Sequence, residues 1–141
     1  GAMLTFTRDM IALRRDHVVL RRSRFFHGQE IPGTSVRDVV WLSPEGIEMN
    51  DGDWHRGNAR SMQVLISGLA GSRFLSDTGQ QQPDDSFLLM LHAGSGRRRF
   101  QLPEQPTDAT WSTEIATARI TRRRDSVYLP GFTCAVLRLR A

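Results

Sequence analysis

The chain has 141 residues, 39% of them hydrophobic and 24% charged, which is enough for one domain with a core of its own and too little for two ordinary ones. That balance and a net charge of +4 exclude wholesale disorder, and no run of about 18 apolar residues is present to span a bilayer, so a globular protein of the cytoplasm with no membrane partner is expected. All 19 basic residues are arginine; without a basic stripe interleaved with aromatic residues, they do not point to nucleic acid.

In chain order, Gly1-Ala2-Met3 reads as the remnant of a cleaved tag and is set aside. Phe6, Met10, Leu13, His17 and Leu20 then recur at alternating steps of four and three, one face of a helix over residues 5–20. Thr5 or Thr7 would cap its start, and Arg8, Arg15 and Arg22 lie opposite the apolar stripe. After Gly28 the helical period gives way to short apolar runs bounded by Gly, Pro, Asp and Ser, the pattern of an all-β antiparallel sandwich.

Strands are predicted at 36–42, 62–67, 87–92, 99–102, 111–115, 127–129 and 134–139. Ser43-Pro44-Glu45-Gly46 suits a type I turn. The stretch 87–92 is apolar up to its last residue, as in a central strand covered on both faces, and Ala93-Gly94-Ser95-Gly96 then reverses the chain into 99–102. Arg138 and Arg140 make the final strand read as an edge or a terminus. The polar stretch 71–85 reads as a long surface loop.

No catalytic constellation emerges. Glycoside hydrolysis needs two carboxylates held on either side of a bond, whereas Asp84 and Asp85 are adjacent and Asp51 and Asp53 sit among the turn residues Asn50 and Gly52, where capping is the expected role. Asn50-Asp51-Gly52-Asp53 departs from an EF-hand loop in the place of its glycine. His17, His27, His55 and His92 are too scattered for a ligand pair, and the single cysteine, Cys134, reads as a small core filler, so neither a metal nor a cofactor is expected. No serine has a recognisable histidine partner. The runs Arg97-Arg98-Arg99 and Arg122-Arg123-Arg124 read as solvated hairpin ends. Of the aromatic residues able to stack on a sugar ring, Trp41 and Trp111 are expected in the core and Trp54, in a polar loop, is the one candidate for contact.

The residues themselves resemble a known family. Ile11-Ala12-Leu13-Arg14-Arg15-Asp16-His17, followed by Arg21-Arg22-Ser23-Arg24-Phe25-Phe26-His27-Gly28, resembles the last barrel helix and exit loop of bacterial glycogen-debranching enzymes of the isoamylase type, members of the α-amylase superfamily (glycoside hydrolase family 13). Asp38-Val39-Val40-Trp41-Leu42-Ser43-Pro44-Glu45-Gly46, with Asp53-Trp54-His55 beyond it, is similar to the start of their C-terminal domain, and Asp84-Asp85-Ser86-Phe87-Leu88-Leu89-Met90-Leu91 to its central strand. Val18 stands where the family commonly has proline and His92 where it commonly has asparagine, which leaves open the related maltooligosyltrehalose trehalohydrolases.

The resemblance implies that residues 4–27 end a (β/α)8 barrel and residues 28–141 form a non-catalytic C-terminal β-sandwich. The parent would hydrolyse α-1,6-glucosidic branch linkages with a nucleophile and an acid on that upstream barrel, and this segment would stabilise it. The expected partners are the barrel of the same chain, an α-glucan at Trp54, or a second copy through the stripe of Phe6, Met10 and Leu13 if that stripe does not fold back on the sandwich. A glucan-tethering module and a freestanding arginine-rich domain for anionic polymers are the alternatives.

Overall fold

Phe87-Leu88-Leu89-Met90 is apolar at every position, so an extended chain there needs a cover on each face. The computed structural model, which describes residues 1–21, 25–31, 33–69, 83–104 and 109–141, provides both. Strands β1 (Val39–Leu42), β2 (Ser61–Ile66), β3 (Ser86–His92), β5 (Ser112–Ala116) and β8 (Thr133–Leu139) form an antiparallel sheet in the order β1-β2-β3-β8-β5. Strands β4 (Arg98–Gln101), β6 (Thr121–Arg122) and β7 (Ser126–Leu129) form a smaller one, β4-β7-β6.

Because side chains alternate along a strand, the larger sheet sorts its residues between two cores. Leu42, Leu88, Met90, Ala135 and Leu137 meet Phe100, Val127 and Leu129 of the smaller sheet, with Trp111 and Leu102 closing that cluster. On the opposite face Val39, Val64, Ile66, Phe87, Ile115 and Val136 pack with Leu13, Val19 and Ile31. The fold is therefore the expected antiparallel sandwich with one further layer, formed by helix α1 (Ala2–Asp16) and the 3-10 turn Val18–Arg21.

The apolar stripe of α1 behaves as its spacing predicts: Phe6, Met10, Leu13 and Leu20 lie against the larger sheet. Its ends do not. The helix starts at Ala2, so residues set aside as a tag remnant continue it, and Thr5 and Thr7 cap nothing; their hydroxyls donate back to the carbonyls of Gly1 and Met3, at 3.4 and 2.8 Å. It stops at Asp16 because His17 turns extended (φ −124°, ψ 114°) and directs its ring at Asp84.

Other corrections are also non-local in origin. The final strand, β8, is interior, between β3 and β5. Its Arg138 is accommodated by Asp85 and by Glu114, whose Oε1 lies 3.0 Å from Nη1 and which sits at a register irregularity in β5. Residues 93–96 carry the chain from one sheet to the other instead of closing a hairpin. Trp41 is 42% exposed, not core, whereas Trp111 is buried as expected. Residues 71–82 of the predicted loop lie outside the described residues. No described helix is long and apolar enough to cross a membrane.

Carboxylates fasten the helical layer. Asp84 Oδ1 accepts from His17 Nδ1 (2.7 Å) and from the Asp85 amide (2.7 Å), and its Oδ2 accepts from the Val19 amide (3.1 Å). The His17 ring stands edge-on to Phe87, with centroids 4.9 Å apart. Gly68 makes this approach feasible, since a Cβ there would lie 1.9 Å from the Asp84 carbonyl oxygen. Buried Asp38 likewise accepts the amides of His27 and Gly28, both at 2.9 Å, and of Val39 at 2.8 Å, holding the segment after α1 against β1. Asp85 binds the Arg138 guanidinium and, at 2.7 Å, the Ala141 amide. Burial acts to raise its pKa, but these hydrogen bonds and the Arg138 charge outweigh it, leaving Asp85 below the ordinary carboxylate value.

Two measurements test this architecture. Phe87, fully buried where the two layers meet, should cost about 3–5 kcal/mol on Phe87→Ala, against under about 1 kcal/mol for Leu91→Ala at a 38% exposed site, read from urea unfolding. A depressed carboxylate pKa stabilises the fold above the unfolded-state value of about 3.9 and loses that contribution as pH falls through the lower folded value. The stability gap between wild type and Asp85→Asn should therefore be full near neutrality and shrink as the pH drops below about 4; a pH-independent gap would contradict the assignment.

Candidate functional site

Among the described residues, side chains able to do chemistry gather in three places. His17, Asp84 and Asp85 offer ligand atoms within 4.8 Å of one another, a grouping the sequence hides because His17 is 67 positions from Asp84. All four carboxylate oxygens there already accept an N–H, which makes the group a fastening of the fold.

A second pairing also escaped the sequence. Ser61 Oγ lies 2.7 Å from His92 Nδ1, while His92 Nε2 lies 2.5 Å from the Gly96 carbonyl. That carbonyl requires the proton on Nε2, so Nδ1 accepts from the serine. In a nucleophilic site a base must take the hydroxyl proton and be oriented by a third group; here the third group is the main chain of the turn that His92 pins. Gly94 is needed for that turn, since a Cβ on it would lie 2.8 Å from His92 Cε1.

The third place is built by the chain around β1. After Leu42 the turn closes with the Gly46 amide on the Ser43 carbonyl (2.9 Å), and residues 47–49 return along the free edge of β1, the Met49 amide reaching the Trp41 carbonyl at 2.9 Å. Asn50 then caps a one-turn helix, α2 (Asp51–Trp54): its side chain accepts from the Asp53 amide (2.9 Å) and Asp53 accepts from the Asn50 amide (3.0 Å). Asp51 and Asp53 are thus first-turn residues of a capped helix, the expected role. The cap sets Trp54 against Trp41, ring centroids 5.5 Å apart and planes at 71°.

Beside the two indoles opens a cleft of about 520 Å³ whose floor is Val39, Val64 and Ile66 and whose walls include Phe26, His27 and Met49. Arg37, just before β1, grips both carboxylate oxygens of Glu48 at its rim. The hydrogen bonds from Arg37, the largest influence, hold Glu48 below its ordinary pKa. Trp54, the sequence candidate, is 48% exposed here, and Trp41 joins it.

The arginine runs are largely solvated, with Arg97, Arg98 and Arg99 all exposed. Arg98 and Arg99 lie on β4, Arg97 stacks over Tyr128 at 4.5 Å, and Arg98 pairs with Glu45 at 2.9 Å. Arg122 is half-buried and donates to the Trp111 carbonyl at 2.8 Å; burial lowers its pKa. Arg123 and Arg124 are exposed. Cys134 is a partly buried free thiol.

No family model matches the chain. Among curated proteins, the glycogen operon protein GlgX homolog of Mycobacterium tuberculosis is 39% identical over 116 residues, covering 82% of this chain and 16% of that protein. An isoamylase of a Flavobacterium species is 24% identical over 127 residues, 90% of this chain and 15% of the enzyme. The glycogen debranching enzyme of Yersinia pestis is 29% identical over 66 residues, 47% of this chain and 9% of its own length. The chain thus spans about one sixth of the length of the first two relatives. Over most of its length the chain is thus similar to one segment of proteins named as a GlgX homolog and an isoamylase, and over a shorter stretch to a glycogen debranching enzyme.

Proposed function

We propose that this chain is the non-catalytic C-terminal sandwich of a cytoplasmic hydrolase acting on α-1,6 branch linkages of glycogen, and that it stabilises a catalytic barrel preceding it. The observation that carries the reading is the 39% identity to a GlgX homolog over most of this chain but only 16% of that relative, a match to one module of a larger protein.

Surface composition supports the structural role. With its apolar stripe turned to the sheet, α1 still leaves Met3, Leu4 and Ile11 exposed at 66, 53 and 62%. Leu4 and Ile11 are seven residues apart and share a side of the helix. A helix apolar on two sides fits between two bodies, the sandwich on one side and the barrel on the other.

The isolated chain should release no reducing ends from glycogen or its limit dextrin, whereas the parent does; hydrolysis by the chain alone would overturn the reading. Replacing Leu4 and Ile11 together by Asp should leave the stability of the isolated chain within about 0.5 kcal/mol, as expected for exposed sites, and lower the melting temperature of the parent by several degrees. Equal effects in both would mean that no barrel rests on this helix face.

A further inference from the structure

Trp41 and Trp54 pose a question that packing alone does not answer. Two large aromatic side chains remain 42% and 48% exposed, although each is rigidly placed: Trp41 on a strand flanked by β2 and the returning segment 47–49, Trp54 at the end of a capped turn. Rings fixed before binding lose little freedom on binding. Their planes meet at 71°, giving a corner and not a flat wall. The floor of the adjoining cleft is already buried and apolar, so it has no reason to collapse. Its volume, about 520 Å³, lies within the range of small-molecule sites.

The rim decides which chemistry fits. The core of a protein–protein contact is depleted in charged residues, yet this cleft carries Arg37, Glu48 and the exposed His27 beside its indoles. A pyranose presents an apolar face of C–H groups and an equatorial belt of hydroxyls, so it needs an aromatic face and a polar rim together. An α-1,4-linked glucan also bends at every linkage, turning successive sugar faces through an angle, which suits an angled pair of rings better than a coplanar one.

We propose that the Trp41–Trp54 cleft binds a short stretch of α-1,4-linked glucan, the indoles stacking on the sugar rings and Arg37 and Glu48 taking their hydroxyls. The site would hold the parent enzyme on its polymer away from the reacting bond. The choice of glucan among sugars rests on the family reading above; the existence of a sugar site rests on the geometry.

The test uses the 141-residue chain with maltoheptaose in titration calorimetry and with glycogen in native affinity gels. Maltoheptaose should bind and glycogen should retard the chain. Trp54→Ala, at an exposed position, should weaken binding at least tenfold, equivalent to about 1.4 kcal/mol, while Trp54→Phe retains part of it and Phe132→Ala, at an exposed aromatic outside the cleft, changes nothing. The β-1,4-linked cellohexaose should bind at least tenfold more weakly than maltoheptaose.

Absence of binding at millimolar maltoheptaose, or binding that survives Trp54→Ala, overturns the site. So does the finding that both indoles are shielded from acrylamide in the parent but open in the isolated chain, since the barrel would then occupy the cleft. A parent that debranches glycogen while the cleft ignores maltoheptaose sinks the site alone. A cleft that binds maltoheptaose in a parent without debranching activity leaves the site standing and removes the family reading.

Discussion

A sheet that is apolar on both faces needs two covers, and this requirement organises the molecule. β3 sits at its centre, with Phe87 and Leu88 fully buried on opposite faces. One cover is the smaller sheet, joined to the larger one by Gln63: its fully buried side-chain Nε2 donates to the carbonyls of Ser43 (3.1 Å) and Gln101 (2.9 Å), main chain from both sides, while its Oε1 meets no donor among the described residues. The other cover is α1, 15 residues long. A helix of that length is marginal in water on its own and depends on the surface it packs against. The His17–Asp84 contact and the Val19 amide tie the end of α1 to the start of β3 and so set how the helix lies across the sheet.

The covers differ in width. Across the larger sheet Trp41, Val64, Leu89, Val136 and Ile115 stand side by side on the helical face. Val64, Val136 and Ile115 are buried there, while Trp41, at the β1 end of the row, is not. The chain partly compensates by folding residues 47–54 back along β1, which protects a strand edge from pairing with other chains and brings Trp54 beside Trp41. The cleft is thus the margin between a wide sheet and a narrow cover, walled by residues after α1 that Asp38 holds in place. Its position follows from packing, and its polar rim from the pairing of Arg37 with Glu48 across the same turn.

Much of this was legible in the sequence. Each of the seven predicted strands exists, most within a residue or two at either end, because apolar runs bounded by turn residues carry that information locally. The stripe of α1 was equally plain. What escaped depends on residues far apart in the chain. Arg138 makes β8 look like an edge until Asp85 and Glu114, 53 and 24 positions away, are placed beside it. His92 finds Ser61 only when β2 and β3 pair. Trp41 lies in Val39-Val40-Trp41-Leu42, where no polar residue marks the outer face, so alternation could not reveal its exposure. The one-turn helix α2 had a usable local signal, since Asn50 and Asp53 stand at capping-box spacing.

The electrostatics bear on what the carboxyls of this chain can do. A general acid for glycosidic cleavage must keep its proton near neutrality, which requires a carboxyl pKa pushed upward by burial or by a neighbouring negative charge. Among the described residues, the two carboxyls with a clear shift are Glu48 and Asp85, and both move downward under the influence of arginine or amide donors. The same donors that make these groups good fastenings make them poor proton donors. Asp84 and Asp85, both partly buried, are drawn in this way into holding the helix, β3 and β8 together, whereas the exposed Glu48 serves to pin Arg37 beside β1.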